Sequence, residues 1–304
     1  MHILIAGGTG FIGQALVQHF LQQGHQIALL VRSKAKIRQL FNTQVNALAW
    51  EDFAPKAEDV LGGVHWLINL TGTNVGNARW CKKRKQSIIE SRVETTAYLA
   101  KVCAKLGTQA PVFFNASAIG VYGLKPQETP FDENSIIAFD QSTDFLSEVA
   151  RAWEKATQAA EDAGVRTIKL RFGVVLGQGG ALKKITPIHK WGIGGPIASG
   201  KQMFCWISID DVIKALDFIF EHTALSGPIN LVAPAHDSQT AFAKALSQSL
   251  HRPSFMRTPG FVLKGIYGQM AEELLLQGQQ VSPTRLLDAG FIFDHPDLDA
   301  FFKP

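Results

Sequence analysis

Three glycines near the start of the chain have the spacing of a phosphate-binding turn. Gly7, Gly10 and Gly13 directly follow the apolar run 2–6 and open a helical pattern. The first glycine permits a tight bend, the second lets the backbone approach a pyrophosphate, and the third lets the helix pack closely on the strand. Because free N–H groups at a helix N-terminus favour anions, a dinucleotide is expected there, although a glycine turn without a ligand is the alternative. The predicted contacts are Gly7, Thr9, Gly10, Phe11, Ile12 and Gly13.

The end of the second apolar run distinguishes between the two nicotinamide dinucleotides. Residues 26–31 are followed by Arg32, Ser33 and Lys34. An NAD-binding chain usually has Asp or Glu there, which accepts hydrogen bonds from the ribose hydroxyls. A guanidinium, a hydroxyl and an ammonium group instead suit the additional phosphate of NADP. We therefore predict NADP as the cofactor, bound in part by Arg32 and Ser33; the alternative is that Arg32 is an ordinary surface cation.

The elements that must position these residues follow from the apolar pattern. Short strand-like runs alternate with helical patterns through the first two-thirds of the chain, which is typical of a doubly wound α/β fold with a buried parallel sheet. The predicted strands are residues 2–6, 26–31, 65–70, 111–116 and 167–172. The predicted helices are residues 12–23, 85–106, 145–163, 210–222, 238–250 and 260–279.

A glycine-rich stretch, residues 177–202, separates two predicted domains. Residues 1–176 are expected to form a Rossmann-like NADP-binding domain whose sheet can receive a later strand. Residues 177–304 are expected to form a smaller C-terminal α/β lobe that covers the substrate.

Composition excludes several classes of partner. The net charge of +4 is too weak to argue for nucleic acid, and no apolar run reaches the roughly 18 residues that cross a bilayer. The three cysteines lie far apart without the spacing of metal ligands, and are expected to be reduced thiols. The chain starts directly in a strand-like run, which argues against a signal peptide. We therefore expect a cytoplasmic protein with a small-molecule substrate and without a metal, membrane or nucleic-acid partner; its oligomeric state is left open.

Further segments resemble, in order, the landmarks of extended short-chain dehydrogenases of the NAD(P)-dependent epimerase/dehydratase superfamily. They are residues 69–72, 115–123, 170–177 and 204–212. In that family the first flanks the adenine, the second carries a catalytic serine, the third runs beneath the nicotinamide, and the fourth leads into the substrate lobe. The resemblance therefore implies additional cofactor contacts from Leu70, Thr71, Gly72 and Val175.

One branch of this superfamily is more similar: the "epimerase family" proteins, atypical short-chain dehydrogenases with their own C-terminal domain. The resemblance runs from Met1 to about Phe302, with the branch-specific segment starting near residue 250. The residues that carry it are Arg79, Trp80, Glu90, Ser91, Arg92, Trp153, Glu154, Gly290 and Phe291, with residues 192–195, 271–275 and 280–283.

The chain departs from the family at the usual catalytic motif. Ordinary members use Tyr-x-x-x-Lys, in which the tyrosine exchanges a proton with the substrate and the lysine lowers its pKa. None of the three tyrosines here has a lysine four residues later. If Glu154 marks the acidic position of that helix, Leu146 and Ala150 replace the tyrosine and the lysine, and neither can move a proton.

The remaining catalytic candidates are few. Ser117 either binds a substrate carbonyl or only ends a strand, and Tyr122 either donates a proton or is a wall residue. Arg92 is predicted to contact the cofactor, with a helix-surface charge paired with Glu90 or Glu94 as the alternative. Two carboxylates near the missing motif, Asp144 and Glu148, could serve as acid or base, and three tryptophans could line a pocket or pack in the core: Trp80, Trp191 and Trp206.

Two functions fit these observations. The first is an NADP-dependent oxidoreductase or epimerase-like enzyme that acts on a small carbonyl or hydroxyl compound, for example one like a nucleotide sugar. The second is a non-catalytic NADP(H)-binding sensor or interaction protein, linked by resemblance to cell division. The intact glycine turn favours the first, and the missing tyrosine and lysine favour the second.

Overall fold

The computed structural model describes residues 1–124 and 129–303. Seven parallel strands form one sheet in the order β3-β2-β1-β4-β5-β6-β9, and β7 pairs with β8 in a separate two-stranded sheet. The strands are β1 (His2–Ala6), β2 (Gln26–Val31), β3 (Asn46–Ala49), β4 (Trp66–Asn69), β5 (Val112–Ala118), β6 (Thr167–Phe172), β7 (Val174–Leu176), β8 (Trp206–Ser208) and β9 (Gly227–Leu231). The predicted doubly wound parallel α/β fold is confirmed.

Helices lie on both faces of the sheet and in the C-terminal lobe. They are α1 (Phe11–Gln22), α2 (Ala35–Phe41), α3 (Trp50–Phe53), α4 (Ala57–Gly62), α5 (Lys82–Leu106), α6 (Phe145–Lys155), α7 (Gln158–Asp162), α8 (Gly180–Lys190), α9 (Ile209–Glu221), α10 (Gln239–Ser249), α11 (Gly260–Tyr267), α12 (Gln269–Ala271), α13 (Thr284–Asp288) and α14 (Leu298–Phe302). Short 3₁₀ turns are Ala54–Lys56, Gly107–Gln109 and Ile119–Tyr122, and Glu272–Leu276 is a π-helical turn.

The strand order reverses between β1 and β4. The chain first builds outward through β2 and β3, then returns to the other side of β1. In an open parallel sheet this reversal leaves a crevice beyond the carboxyl ends of the central strands, and ligands bind there. The glycine turn after β1 lies at this crevice.

Two hydrophobic clusters cover the two faces of the sheet. Alternate side chains of β1 enter opposite clusters: Ile3 and Ile5 lie in one, Leu4 and Ala6 in the other. All four are at most 1% exposed. This explains why the strands read as continuous apolar runs, since each strand is buried on both sides.

Residues beyond 176 contribute to the first cluster. Leu216 of α9, Ile229 of β9, and Phe291 and Phe293 of the C-terminal segment all pack there. Residues of the C-terminal lobe, including Trp206, Phe242 and Leu298, form their own smaller cluster. The division predicted at residue 176 is therefore not a division of the main hydrophobic core.

Two predicted helices are interrupted, and four strands are not among the five predicted from the apolar runs: β3, β7, β8 and β9. The helix expected over 145–163 ends at Lys155 and resumes as α7. The helix expected over 260–279 ends at Gly268, whose φ of +60° is a left-handed conformation that glycine adopts readily. Strand β3 has only four residues, and the first is exposed and the others half-buried, so its sequence carries no strong apolar run.

Within the described residues, no helix is long and apolar enough to cross a membrane. The same residues contain no cluster of three His, Cys, Asp or Glu side chains that could hold a metal ion.

Candidate functional site

A cavity of about 520 Å³ lies beyond the carboxyl ends of β1, β2 and β4, at the reversal of strand order. Eight of the residues predicted to bind the cofactor line it: Gly7, Thr9, Gly10, Arg32, Ser33, Leu70, Thr71 and Gly72. Seven other lining residues were not predicted from the sequence: Gly8, Leu30, Val31, Trp50, Thr73, Ser91 and Thr95. The cavity thus brings together five parts of the chain: residues 7–10, 30–33, 50 and 70–73, and residues 91 and 95 of α5.

The glycine turn is required by close backbone packing. Gly7 has a φ of +84°, and a Cβ atom there would lie 2.7 Å from the backbone carbonyl of Leu70. A Cβ atom on Gly13 would lie 2.5 Å from the Gly7 oxygen and 2.6 Å from the Gly8 Cα atom. Gly10 differs, because the nearest atom to its Cβ position is 3.4 Å away. Gly7 and Gly13 therefore shape the turn, and Gly10 keeps its cavity side open.

The N-terminus of α1 faces this turn without a protein cap. No side chain caps Gly10, and the first turn of α1 contains no acidic residue. The first N–H groups of a helix have no partner within the helix, so a ligand or solvent must satisfy them. Their partial positive charge and the helix dipole together favour a phosphate group.

The end of β2 adds positive charge to the cavity. Arg32 and Ser33 are exposed cavity-lining residues. Lys34, by contrast, forms an ion pair with Asp52, with its Nζ atom 2.6 Å from Oδ2. Among the described residues no salt bridge involves Arg32, so its guanidinium is available to an anion. Trp50 lies on the same wall, where the indole ring offers an apolar surface.

A buried network of polar side chains holds the loop after β4. The side-chain amide of Asn69 donates to the Asn115 Oδ1 atom (2.7 Å) and to the Thr96 hydroxyl (2.9 Å), which also accepts from the indole N–H of Trp153. The Asn69 Oδ1 atom in turn accepts from the Thr71 hydroxyl at 2.6 Å. Because every member has a partner, the network fixes the loop that borders the cavity.

Arg92 lies beneath that loop and is not a surface charge paired with Glu90 or Glu94. Its Nη1 atom donates to the carbonyl oxygens of Thr73 (2.9 Å) and Ile88 (3.0 Å). Its guanidinium also lies 4.8 Å from the centre of the Trp153 ring. Burial lowers its pKa to about 10, so the group stays charged at neutral pH. The structure thus gives Arg92 a supporting position behind Gly72, and it is not among the residues that line the cavity.

Four other predicted contacts are also absent from the cavity wall. The Phe11 ring packs against the glycine loop of residues 177–180, and the side chains of Ile12 and Val175 pack against the main core. Gly13 lies behind the turn, against Gly7. For these residues a cofactor contact stays a prediction.

Ser117 lies in a buried cluster below the end of β5. Its hydroxyl donates to the Glu154 Oε1 atom at 2.7 Å. The same carboxylate accepts two hydrogen bonds from Arg171, from Nε at 2.8 Å and from Nη2 at 2.9 Å. The side chains of Glu154 and Arg171 are 0% and 4% exposed, so this is a fully buried ion pair. The position of Ser117 is consistent with a structural role at the strand end.

Tyr122 continues this cluster. Its hydroxyl donates to the Asn230 Oδ1 atom at 2.8 Å and accepts from Arg171 at 2.9 Å. Its ring stacks on Phe131, with 4.8 Å between the ring centres. Burial raises the pKa of Tyr122 to about 12, which makes it a poor source of protons at neutral pH. The geometry therefore favours the interpretation of Tyr122 as a wall residue and not as a proton donor.

The first turn of α6 is where the usual tyrosine would stand. Leu146 occupies it and lies against Gly120, while Ala150 is buried one turn later. Asp144 caps the helix through a hydrogen bond from the backbone N–H of Ser147, and Glu148 is exposed. A carboxylate from the C-terminal segment also reaches this turn, because the Glu273 Oε2 atom accepts from the Leu146 N–H at 3.0 Å. Nothing in the local sequence could have indicated this contact, which spans 127 residues.

Comparison with known families identifies the family of the chain. Residues 3–232 match the model of the NAD dependent epimerase/dehydratase family. The chain belongs to this family. Residues 258–303 match a second model, a domain of unknown function termed DUF1731. The family and the separate C-terminal segment predicted from the sequence are both confirmed.

Curated relatives match along nearly the whole length of the chain. "Epimerase family protein YfhF" of Bacillus subtilis is 35% identical over 299 residues, which is 98% of this chain and 96% of the relative. "Epimerase family protein SDR39U1" of Bos taurus is 34% identical over 308 residues, 100% of this chain and 99% of the relative.

Solved structures show the same architecture. The crystal structure of human epimerase family protein SDR39U1 with NADPH matches with a TM-score of 0.88 and 33% identity, and the match covers 100% of this chain and 98% of that one. The UDP-glucose 4-epimerase of Thermus thermophilus, solved with NAD, matches with a TM-score of 0.74 at 15% identity, over 99% and 97% of the two chains. The second likeness shows the fold alone. This chain is therefore an NAD(P)-binding protein of the epimerase family.

Proposed function

We propose that the cavity binds NADP(H) in preference to NAD(H). The observation that carries this proposal is the pair Arg32 and Ser33 on the cavity wall at the end of β2, where an NAD-binding chain would have a carboxylate. A guanidinium forms charge-assisted, often bidentate hydrogen bonds to a phosphate group, and a hydroxyl adds one more donor. The human relative solved with NADPH supports the same cofactor.

The residues of the cavity fit each part of this cofactor. The uncapped end of α1 and the open side of Gly10 suit the pyrophosphate. The loop of Leu70, Thr71 and Gly72 borders the opposite wall. In this arrangement Arg32 binds the 2′-phosphate of the cofactor. Titration of the cofactor-stripped protein with NADPH and with NADH tests this part: we expect NADPH to bind at least about tenfold more tightly, and equal affinities would contradict it.

We further propose that the protein is an oxidoreductase or epimerase-like enzyme for a small carbonyl or hydroxyl compound. NADPH supplies a hydride when bound, and the C-terminal lobe supplies the cover for a substrate. The proton must come from this chain. Ser117 and Tyr122 are the hydroxyls that the family resemblance nominates, and for either to act it would first have to release Glu154 or Asn230.

A second function is favoured by one specific observation. Leu146 and Ala150 stand where proton transfer would need a tyrosine and a lysine, and both nominated hydroxyls already donate to buried partners. These features fit a non-catalytic NADP(H)-dependent sensor.

One measurement separates the two functions. NADPH deuterated at the transferring position is incubated with the protein and a set of carbonyl compounds, and products are analysed by mass spectrometry. Deuterium in a product, formed by the wild type and not by Arg32→Ala at limiting NADPH, supports the enzyme. No transfer from NADPH to any carbonyl compound, together with no reduction of bound NADP+ by any hydroxyl compound, in a protein that binds the cofactor tightly supports the sensor.

A further inference from the structure

Two segments of the C-terminal lobe are joined by hydrogen bonds between residues 190–198 and 252–258. They are residues 180–201, which include α8, and residues 251–267, which include α11. The Arg252 Nε atom donates to the Lys190 carbonyl oxygen at 3.0 Å. Further along, the Thr258 N–H donates to the Pro196 oxygen, and Thr258 accepts from the N–H of Ala198. We name the surface of these two segments the basic apolar face.

The basic apolar face exposes large apolar side chains. Trp191 is 82% exposed, Phe261 78% and Phe255 73%. None of the three belongs to a hydrophobic core cluster among the described residues or lines the 520 Å³ cavity, so the core interpretation of Trp191 is wrong. Nine of the fifteen exposed large apolar side chains in the described residues lie on this face: Ile188, Trp191, Ile193, Phe255, Met256, Phe261, Val262, Ile266 and Tyr267.

Helix α11 is the clearest case. It contains no buried residue, although every position except Lys264 is apolar, aromatic or glycine. At 100° per residue, Phe261, Val262 and Ile266 fall on one side of the helix, and all three are exposed. A surface helix normally turns such a stripe toward the core. The outward stripe therefore indicates that something outside the chain covers it.

The lysine and arginine side chains of the same face give it a positive charge. The two segments contain seven exposed cations and no Asp or Glu: Lys183, Lys184, Lys190, Lys201, Arg252, Arg257 and Lys264. Within the described residues only Lys264 forms an ion pair, with Glu272 just outside the face. A second copy of the chain, packed face to face, would oppose cations to cations. The partner must instead be negatively charged and must accept aromatic side chains.

We propose that the basic apolar face binds the surface of a bilayer that contains anionic lipids. Aromatic and apolar side chains beside lysine and arginine are the combination that enters the boundary between headgroups and acyl chains. Trp191, Phe255 and Phe261 enter that boundary, and the surrounding cations contact lipid phosphates. Binding is peripheral, since no described helix can cross the membrane. This inference does not depend on the proposed function, and it departs from the expectation, drawn from the sequence, that the protein has no membrane partner.

Vesicle binding tests the charge requirement. Full-length protein is sedimented with vesicles of phosphatidylcholine alone and with vesicles of equal phosphatidylcholine and phosphatidylglycerol. We expect at least about tenfold stronger binding to the anionic vesicles, weakened by salt because surface charges are screened. No binding, or equal binding to both vesicles, would overturn the proposal.

Variants test which residues insert. Trp191→Ser/Phe261→Ser is expected to lose binding by about tenfold or more, whereas Ile136→Ser/Ile292→Ser, which changes two other exposed side chains, should bind like the wild type. Brominated lipids should quench the fluorescence of the wild type and not of Trp191→Phe. Binding without quenching, equal effects of both double variants, or a dimer in light scattering that Trp191→Ser abolishes would each contradict insertion.

Discussion

The buried ion pair of Glu154 and Arg171 tests whether the cluster that also contains Ser117 and Tyr122 is a supporting structure. Glu154→Gln keeps the shape of the side chain but removes its charge. The Arg171 guanidinium, 4% exposed, is then left as a buried cation without a counter-charge: the glutamine keeps one acceptor oxygen for it, and its NH2 group replaces the other. Breaking a buried pair by neutralising one partner costs about 3–5 kcal/mol, because the other charge stays out of water.

This loss is large compared with a total stability of about 5–15 kcal/mol. For a chain of 304 residues it corresponds to a decrease in Tm of roughly 5–8 °C. The matched control is Glu148→Gln on the same helix, where the side chain is exposed and the expected change is within about 0.5 kcal/mol. Differential scanning calorimetry measures the Tm of both variants and of the wild type. A Glu154→Gln variant as stable as Glu148→Gln would refute the assignment of this cluster as a supporting structure.

The remaining predictions concern packing and reactivity. Gly13→Ala should lower the free energy of unfolding by about 1–3 kcal/mol and weaken NADPH binding, because the added Cβ atom would clash with backbone atoms. The control is Gly265→Ala, whose Cβ atom has no neighbour within 4 Å and should change neither quantity. Equal unfolding curves of the two variants would contradict this prediction. Tyr122→Phe should lower the free energy of unfolding in urea by about 1–3 kcal/mol, because it leaves buried hydrogen-bonding groups unpaired. Its affinity for NADPH should stay within about twofold of the wild type, and a larger loss would indicate a direct contact with the cofactor. A thiol reagent at pH 8 should label exposed Cys81 rapidly and Cys103 slowly, since burial raises the pKa of Cys103 to about 12 and keeps it protonated; persistent rapid labelling of Cys81→Ser would contradict this.

The parts of the fold and site that depend on local pattern are predictable from the sequence. The glycine turn, the buried strands and the cationic end of β2 are each readable within about ten residues. Gly7 and Gly13 fall where a turn and a helix must approach other backbone. Arg32 and Ser33 line the cavity because the end of a central parallel strand must lie at the crevice.

Features that depend on tertiary contacts were not predictable. Ser117 and Glu154 are 37 residues apart, and their hydrogen bond exists only because α6 packs below β5. The same holds for Arg92, whose partners are carbonyl groups exposed by the loop after β4. The apolar positions of α11 predicted a helix, but periodicity alone cannot say which side faces solvent.

The central claim is that Arg32 binds the 2′-phosphate of NADP(H) at the end of β2. A thermodynamic cycle that changes one side chain and one cofactor phosphate tests it most directly. Calorimetry measures the affinities of NADPH and NADH for the wild type and for Arg32→Ala, and Arg257→Ala serves as the control arginine. We predict that the wild type prefers NADPH by more than about 1.4 kcal/mol, that Arg32→Ala loses this preference by weakening NADPH binding alone, and that Arg257→Ala retains it. Equal binding of the two cofactors by the wild type, or an unchanged preference in Arg32→Ala, would contradict the claim.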